Sequence, residues 1–229
     1  MSLPARRVLI LGGTGDIGSA ISSRLMLDFR DEVIAVGSKD MNLADTNSVD
    51  LFLERHGSDF DVLVHSAGFN QPGLFESMDI QSIELTMQAN LIGFLRVSQA
   101  LVPYWKAQSR GSVVIISSLY GFFSRKGRMS YAISKHALIG AMKTMAIEFG
   151  EFGVMVNAVS PGYIDTKMTS KNNSLEVIQK LISGIPVKKL GLPDDVARAV
   201  SFLASPQNHY VNGLDLIVDG GYSVGGFQG

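Results

Sequence analysis

Residues 8–18 of the chain read VLILGGTGDIG. The four leading residues are apolar, as in a short buried strand, and residues 17–27 then carry apolar side chains three and four apart, which predicts a helix. A strand, a glycine-rich turn and a helix in this order present backbone N–H groups and the positive helix end to a phosphate. Taken alone, the motif is equally compatible with an ordinary glycine-rich turn. Its place directly after the first strand favours a dinucleotide site.

The alternation of strand and helix patterns along the chain predicts a Rossmann-like α/β fold. We expect a doubly wound parallel sheet of about seven strands with helices on both faces. Neither a linker nor a repeat interrupts the pattern, so a single domain is expected to span residues 1–229. The predicted strands are 7–11, 32–37, 41–43, 61–66, 112–117, 155–160 and 214–218. The predicted helices are 17–27, 46–56, 80–107, 131–150 and 194–203.

Composition narrows the class of protein. Of 229 residues, 46% are hydrophobic and the formal net charge is −1, which favours a large core and argues against nucleic-acid binding. The chain has no cysteine, which excludes disulfides, cysteine-ligated metals and thiol catalysis, and its 4 histidines lack the spacing of metal ligands. No apolar run is long enough to span a membrane. We therefore predict a cytoplasmic protein without a metal site.

A tyrosine and a lysine stand four residues apart in the sequence YAISK, at residues 131–135. On a helix this spacing places both side chains on one face, one turn apart. A free phenol titrates near ~10, and lowering its pKa to about 7 takes roughly 4 kcal/mol. An ammonium ~4 Å away at an effective dielectric of ~20 supplies about that much. The pair predicts a tyrosine acid or base, although the spacing also occurs by chance on solvated helices.

Two further polar residues stand out from their surroundings. Ser118 follows the β-branched run 112–117, at the carboxyl end of a predicted central strand, where open α/β sheets bind ligands. Asn90 interrupts the apolar helical stretch 80–107, although asparagine is a poor residue for a helix interior. Asn90 either bonds a neighbouring carbonyl and bends the helix or belongs to a site.

The end of the second predicted strand bears on the choice of cofactor. An acidic residue there would bond the ribose hydroxyls of NAD, but the chain has Ser38 and Lys39 and no acid before Asp40. A small polar residue followed by a cation favours the 2′-phosphate of NADP. We expect NADP(H) to be preferred over NAD(H), unless Lys39 is only a solvated loop residue.

Together these motifs resemble the short-chain dehydrogenase/reductase family in its compact single-domain form, and the 3-oxoacyl-carrier-protein reductases within it. Ser118 lies 13 residues before Tyr131 and 28 residues after Asn90, and both intervals resemble the family's catalytic spacing. The resemblance covers the chain from Val8 to Gly221. Further similar segments are NLIG at 90–93, SLYG at 118–121, NAVSPG at 157–162, GLPDDVA at 191–197 and VDGG at 218–221.

The resemblance implies an oxidoreductase that moves a hydride between a nicotinamide and a carbonyl or alcohol carbon. Tyr131 would exchange the proton with the substrate oxygen, and Ser118 would donate a hydrogen bond to that oxygen. Lys135 would lower the pKa of Tyr131 and bind the nicotinamide ribose. Asn90 would position a water between Lys135 and solvent.

The resemblance also implies a set of cofactor contacts. The glycine turn would line the pyrophosphate, residues 42–43 the adenine, residues 67–68 the adenosine, and residues 161–166 the nicotinamide. The residues expected to bind the cofactor are Gly12, Thr14, Asp16, Ile17, Gly18, Ser38, Lys39, Asn42, Leu43, Ser66, Ala67, Gly68, Asn90, Tyr131, Lys135, Pro161, Gly162, Ile164 and Thr166.

Two positions depart from the family pattern. Asp16 stands where compact members usually have glycine, and a carboxylate near a pyrophosphate is unfavourable unless it caps loop amides and faces away, which we expect. The glycines from Gly12 to Gly18 match instead the spacing of the branch that modifies nucleotide sugars. His65 stands where members commonly have asparagine, and its presence is expected to loosen the tie between neighbouring strands.

The substrate is the least defined part of the prediction. By position alone, Tyr120, Phe123 and Tyr163 are expected to wall the substrate site. A basic loop at 125–128 and the lysines of a polar segment at 167–190, which we expect to be a mobile substrate flap, would attract an anionic or carrier-linked substrate, unless they are only solvated charges. The leading prediction is NADPH-dependent reduction of a ketone or 3-oxoacyl group, or the reverse alcohol oxidation.

Two other functions stay open. One is a nucleotide-sugar epimerase or dehydratase with bound NAD, although the chain is short for the extra lobe of such enzymes. The other is a nicotinamide-binding regulator without turnover, against which the complete set of catalytic residues argues.

Self-association is predicted from the helix at 131–150, which is apolar almost all the way round. A helix that packs on a sheet needs only one buried stripe, so the second apolar face requires another partner. We therefore predict a homodimer or homotetramer built on the helices around Asn90 and Tyr131.

Overall fold

Six parallel strands form the centre of the molecule. The structure is a computed structural model that describes residues 5–225. The strands are β1 (Arg7–Leu11), β2 (Glu32–Val36), β3 (Val62–His65), β4 (Gly111–Ile116), β5 (Val154–Pro161) and β6 (Asp215–Val218). Their order across the sheet is β2-β1-β3-β4-β5-β6, and every neighbouring pair is parallel. The predicted fold class is confirmed, with one strand fewer than expected.

Helices occupy the stretches between the strands and cover both faces of the sheet. They are α1 (Asp16–Phe29), α2 (Thr46–His56), α3 (Ile80–Met87), α4 (Gly93–Gln108), α5 (Met129–Gly150), α6 (Lys167–Asn172), α7 (Leu175–Gly184) and α8 (Pro193–Leu203). Helices α1 and α8 pack on one face, whereas α2, α4 and α5 pack on the other. Among the described residues, none of the helices has the length and apolar character needed to cross a membrane.

Alternate residues of the strands face the two helical layers, as the two-residue period of a strand requires. In β1, Leu9 and Leu11 belong to the core under α2, α4 and α5, whereas Val8 and Ile10 pack towards α1 and α8. All four side chains are fully buried. Because both faces of the sheet are covered, the strands are continuous apolar runs in the sequence.

The predicted strand at 41–43 is wrong, and it accounts for the difference between six and seven strands. The amide of Met41 donates to the carbonyl of Gly37 at 3.0 Å, and that of Asn42 donates to the hydroxyl of Ser48 at 2.9 Å. The carbonyl of Asn42 accepts from the amide of Asp45 at 2.9 Å. These local turn bonds use the backbone groups that a strand would offer to the sheet.

The predicted helical stretch 80–107 is divided by a π-helical turn, Gln88–Ile92, which joins α3 to α4. A π turn places an extra residue in the helix and changes the direction of the side chains that follow. Asn90 lies within this turn and is fully buried. The segment 167–190 contains α6 and α7, so it is more helical than its sequence pattern predicts.

Candidate active site

A cavity of about 160 Å³ opens at the edge of the sheet where the parallel strands end. Ser118 reaches it from the end of β4, and Tyr131 and Lys135 reach it from the first two turns of α5. The end of β5 contributes Pro161 and Gly162. Because the loops after parallel strands all meet at this edge, it is the expected place for a ligand.

Tyr131, Ser118 and Lys135 converge in this cavity. Ser118 forms a side-chain hydrogen bond with Tyr131, and its Oγ accepts from the amide of Tyr120 at 3.2 Å. The Nζ of Lys135 lies 5.4 Å from the centre of the Tyr131 ring and donates to the carbonyl oxygen of Ile116 at 2.8 Å. Since Ser118 Oγ accepts from the amide, its own hydrogen is the one that it donates to the hydroxyl of Tyr131.

Burial governs the titration of the tyrosine and the lysine. It raises the pKa of Tyr131 to about 12, against a smaller lowering by the hydrogen bond from Ser118. Burial lowers the pKa of Lys135 to about 7. The pKa of Tyr131 is therefore raised and not lowered as the spacing predicted, because desolvation of the phenol is the largest effect on it. At neutral pH the phenol of Tyr131 is protonated.

Asn90 lies behind the cavity, not in its lining. Its Oδ1 accepts from the amide of Phe69 at 2.7 Å, and its Nδ2 donates to the carbonyl of Phe69 at 2.9 Å. The same Nδ2 donates to Oγ of Ser134 at 3.0 Å, and that hydroxyl donates to the carbonyl of Tyr131 at 2.8 Å. Asn90 thus connects the segment after β3 to the helix that carries Tyr131. Its predicted role in positioning a water stays a prediction.

His65 joins the end of β3 to the π turn. Its Nε2 lies 2.8 Å from the carbonyl oxygen of Asn90, and its ring stacks on Phe94 with the centroids 4.7 Å apart. The side chain is fully buried, and its Nδ1 has no hydrogen-bond partner within residues 5–225. Both neighbouring strands stay paired with β3 as far as His65, so the expected loosening of the sheet is not observed.

The glycine turn fits a bound dinucleotide. Gly12 has a φ of +77°, and a Cβ there would lie 2.5 Å from the amide nitrogen of Ala67. A Cβ on Gly18 would collide with the carbonyl oxygen of Gly12. Glycine is therefore required for the turn to lie against the end of β3 and the start of α1. Gly15, the N-cap of α1, makes no side-chain cap bond, which leaves the first helical amides for an anion such as a pyrophosphate.

The carboxylate of Asp16 is directed to the segment 167–190. Its Oδ2 accepts from the amide of Lys167 at 2.7 Å, and its Oδ1 lies 3.9 Å from Lys167 Nζ. Lys167 is the first residue of α6, so Asp16 satisfies an amide that a helix start leaves open. Asp16 therefore caps a backbone amide as expected, but the amide belongs to a segment distant in sequence and not to its own turn.

Lys39, which follows β2, is a cation without a carboxylate partner among the described residues. Asp40 is the nearest acidic residue, and its Oδ2 accepts from the amide of Gly37 at 2.9 Å. This carboxylate therefore bonds to the backbone of its own turn. Ser38 and Lys39 are both exposed. Within residues 5–225, Lys39 forms no ion pair. The ammonium of Lys39 is thus available to a phosphate.

The cavity brings together only some of the residues that the sequence predicted for catalysis and for binding of cofactor and substrate. Gly12, Thr14 and Gly18 are in the glycine turn, Ala67 packs against that turn from the segment after β3, and residues 38–43 lie outside the lining of the cavity. The predicted residues that line the cavity are Ile17, Ser66, Gly68, Ser118, Tyr120, Tyr131, Lys135, Pro161, Gly162, Tyr163, Ile164 and Thr166.

An aromatic wall stands beside Tyr131. The ring of Tyr120 lies edge-on to it with the centroids 6.1 Å apart, and Tyr163 meets Tyr222 edge-on at 5.1 Å. Phe123, the third residue predicted to contact substrate, does not line the cavity and packs on Tyr120 at 5.7 Å.

Some residues of the site were not predicted from the sequence. Asn70, Asn172 and Asn173 line the cavity, and Asn70 accepts a hydrogen bond from Arg128 at 3.3 Å. Tyr222, in the aromatic wall, comes from the turn after β6. No local motif marks these residues, because they come from separate loops that only the fold brings together.

Comparison with known proteins agrees with this geometry. A family profile described as enoyl-(acyl carrier protein) reductase matches residues 39–223. The 3-oxoacyl-acyl-carrier-protein reductase FabG of Thermotoga maritima is 36% identical over 176 residues, which cover 77% of this chain and 71% of that protein. The 3-oxoacyl-acyl-carrier-protein reductase MabA of Mycobacterium bovis is 32% identical over 233 residues, which cover 96% of this chain and 94% of that protein.

A solved structure supports the same relationship. It is described as a short chain dehydrogenase/reductase family protein and superimposes with a TM-score of 0.88 at 30% sequence identity. The superposition covers 97% of this chain and 100% of the other. The agreement therefore extends over the whole sheet and both helical layers.

Proposed function

Because the chain belongs to the short-chain dehydrogenase/reductase family of NAD(P)-dependent oxidoreductases, we propose that it reduces the carbonyl group of a ketone or 3-oxoacyl substrate with NADPH. The observation that supports this most directly is the convergence of Tyr131, Ser118 and Lys135 in one cavity at the carboxyl edge of the sheet. The substrate class follows the two relatives, which are both named 3-oxoacyl-acyl-carrier-protein reductases.

Tyr131 and Ser118 act on the substrate oxygen. The phenol of Tyr131 gives its proton to the carbonyl oxygen as negative charge develops there. The hydroxyl of Ser118, whose oxygen accepts from the amide of Tyr120, donates its hydrogen to Tyr131 in this structure and to the substrate oxygen when substrate is bound, which it then orients and stabilises. The two donors differ in role, since only the phenol transfers its proton.

Lys135 and the glycine turn hold the cofactor, which supplies the hydride when it is bound. One hydrogen on the Nζ of Lys135 donates to the carbonyl of Ile116, and the hydrogens that remain on this nitrogen would bond the nicotinamide ribose. The open amides at the start of α1 receive the pyrophosphate. Lys39, which is exposed and free of carboxylates, receives the 2′-phosphate of NADPH.

The raised pKa of Tyr131 favours the reductive direction at neutral pH. The phenol is protonated below a pKa of about 12, so it is ready to donate without a preceding ionisation. Alcohol oxidation requires the phenolate, whose population rises tenfold with each pH unit below that pKa. Oxidation is therefore expected to accelerate with pH, whereas reduction is expected to be nearly independent of the phenol over the neutral range.

The proposal is tested by following the absorbance of NADPH and NADH over a panel of ketones, 3-oxoacyl thioesters and sugar nucleotides. The wild-type protein is expected to oxidise NADPH with a 3-oxoacyl thioester and to prefer NADPH over NADH. Tyr131→Phe removes the proton donor, and kcat/KM is expected to fall by about 10²- to 10⁴-fold. Binding of NADPH by calorimetry is expected to persist in the variant.

Tyr210→Phe is the matched control, because Tyr210 is 93% exposed and outside the cavity. It should retain the wild-type rate. Tight cofactor binding without turnover of any substrate would contradict the proposal and favour a nicotinamide-binding regulator. Conversion of a sugar nucleotide to an epimer or a dehydrated product, followed by chromatography because neither reaction changes the NADPH absorbance, would point to the epimerase or dehydratase alternative.

A further inference from the structure

The cavity beside Tyr131 is lined by cations that no carboxylate balances. Arg125, Arg128 and Lys135 line it, and no Asp or Glu does so among the described residues. An outer opening of about 380 Å³ is lined by Arg125 and Arg128 as well, together with Asn172 and Asn173. The two arginines therefore belong to the lining of both spaces.

Arg128 is a buried cation at the N-terminus of α5, where it has no carboxylate partner among the described residues. It is 9% exposed and is the N-cap of α5, three residues before Tyr131. The one hydrogen bond of its side chain within residues 5–225 joins Nη1 to Asn70 Oδ1 at 3.3 Å, and no carboxylate lies within ion-pair distance. Burial of a charged group without a partner is costly, and the positive end of a helix adds repulsion. An anion at this point would remove both penalties.

Arg125 faces the same space from the loop before α5. It lies beside the side-chain hydroxyls of Tyr120 and Tyr163, two residues of the aromatic wall. In the described part of the chain it too forms no ion pair. Two guanidinium groups that line one cavity can share an anionic oxygen group through charge-assisted, bidentate hydrogen bonds.

The phosphates of the cofactor do not account for these arginines. The pyrophosphate site is the glycine turn, and of residues 12–18 only Ile17 lines the inner cavity. The outer opening is lined by no residue of that turn and includes residues 72–74 instead. The anion that matches Arg125 and Arg128 therefore enters on the substrate side of Tyr131.

We infer that Arg128 and Arg125 bind an anionic group of the substrate itself, a carboxylate or a phosphate, and so select acidic carbonyl compounds over neutral ones. The inference rests on the proposed carbonyl reduction, since it names the class of substrate for the same site. Arg128 is the principal anchor because its charge is the more deeply buried. Arg125 closes over the group from the opening.

The test compares charged and uncharged forms of one substrate. Acetoacetate is paired with methyl acetoacetate, and acetoacetyl-4′-phosphopantetheine with acetoacetyl-pantetheine. In Arg128→Gln, KM for the charged member of one pair is expected to rise about 10- to 100-fold, as loss of a charge-assisted hydrogen bond implies. KM for the neutral member is expected to stay within about twofold. A rise in the acetoacetate pair assigns a carboxylate, and a rise in the phosphopantetheine pair assigns a phosphate.

Three further variants keep the test independent of folding. Arg128→Lys retains the charge and is expected to restore part of the affinity, and Arg125→Gln is expected to have a smaller effect in the same direction. Arg55→Gln makes the same change of net charge on the exposed side of α2 and should leave both members of each pair unaffected. Equal losses for charged and neutral substrates would overturn the inference.

A binding measurement separates this inference from the proposed function. 3-Hydroxybutyrate and its methyl ester are titrated by calorimetry into the protein saturated with NADPH, a complex in which neither can react, and 4′-phosphopantetheine and pantetheine are titrated in the same way. A preference for the charged member of either pair that Arg128→Gln abolishes would support the inference even if no substrate turned over. Turnover without any such preference would support the reductase and overturn the anionic subsite.

Discussion

At the scale of single residues, His65 is the clearest case of a side chain whose titration depends on its burial. Burial, with a further contribution from the charge of Lys135, lowers the pKa of His65 to about 3. The unfolded chain therefore takes up a proton below about pH 6.5, whereas the folded chain does not until about pH 3. The free energy of unfolding therefore decreases as the pH falls through this window, because the unfolded state binds more protons.

We predict that His65→Asn reduces the acid sensitivity of the protein. Between about pH 7 and 5, the wild-type protein is expected to lose about 2 kcal/mol of unfolding free energy through this residue, since one unit of pKa difference is worth 1.36 kcal/mol. When the unfolding free energy of the variant is measured with urea at the two pH values, that part of the loss should be absent. His209→Asn, at an exposed histidine, is the matched control. Identical pH dependence in His65→Asn and wild type would contradict the prediction.

The predictability of the site differs from residue to residue. The spacing of Tyr131 and Lys135 is local, so the sequence placed them on one helical face correctly. Their pKa values are not local, because they depend on how many protein atoms displace water around each group. The direction of the shift at Tyr131 was therefore opposite to the prediction.

At the scale of elements, the contact between Asp16 and Lys167 joins α1 to the start of α6. It connects the glycine turn to the segment 167–190 through a backbone amide and an exposed ammonium. The hydrogen bond from the Lys167 backbone amide is the stronger contact, since the Lys167 side chain is 95% exposed and its ammonium is solvated. The segment is thus anchored at its first helical residue.

We predict that Asp16→Ala frees the start of α6. Loss of a cap bond costs about 1 kcal/mol, which corresponds to roughly fivefold faster hydrogen–deuterium exchange in residues 167–172. Asp45→Ala removes the side chain that caps α2 and should accelerate exchange only in that helix. Unchanged exchange in residues 167–172 of the Asp16 variant would show that the contact does not hold the segment.

At the scale of the whole molecule, α5 presents a second apolar face to solvent. Ile133 and Ile147 are 44% and 82% exposed, and Gly140 between them has open space around it. A groove of about 860 Å³ at the start of the same helix is lined by Phe75, Met129 and Ile133. Exposed apolar side chains on one helix face gain free energy when a second copy covers them.

We predict that the protein self-associates through this face. Light scattering is expected to give a dimer or tetramer for the wild type, and Ile147→Asp is expected to shift it towards the monomer. Leu175→Asp is a matched control, because Leu175 is also 82% exposed but lies on α7. A wild-type monomer at working concentration, or equal effects of the two variants, would contradict the prediction.

The sequence by itself determined the sheet, the glycine turn and the spacing of Ser118, Tyr131 and Lys135. These features depend on apolar runs, on backbone conformations that only glycine adopts and on helical spacing, all of which act between near neighbours in the chain. The short run at 41–43 was misjudged because a few residues cannot show whether their amides bond to a sheet or to a turn.

The tertiary structure alone decided the remaining properties of the site. Asp16 meets Lys167 and Arg128 meets Asn70 across 151 and 58 residues of chain, so no local pattern could pair them. The same holds for the burial that shifts Tyr131 and Lys135, and for the absence of a carboxylate near Arg128 in the described part of the chain. Burial and unbalanced charge are properties of everything that surrounds a group, and only the folded chain assembles those surroundings.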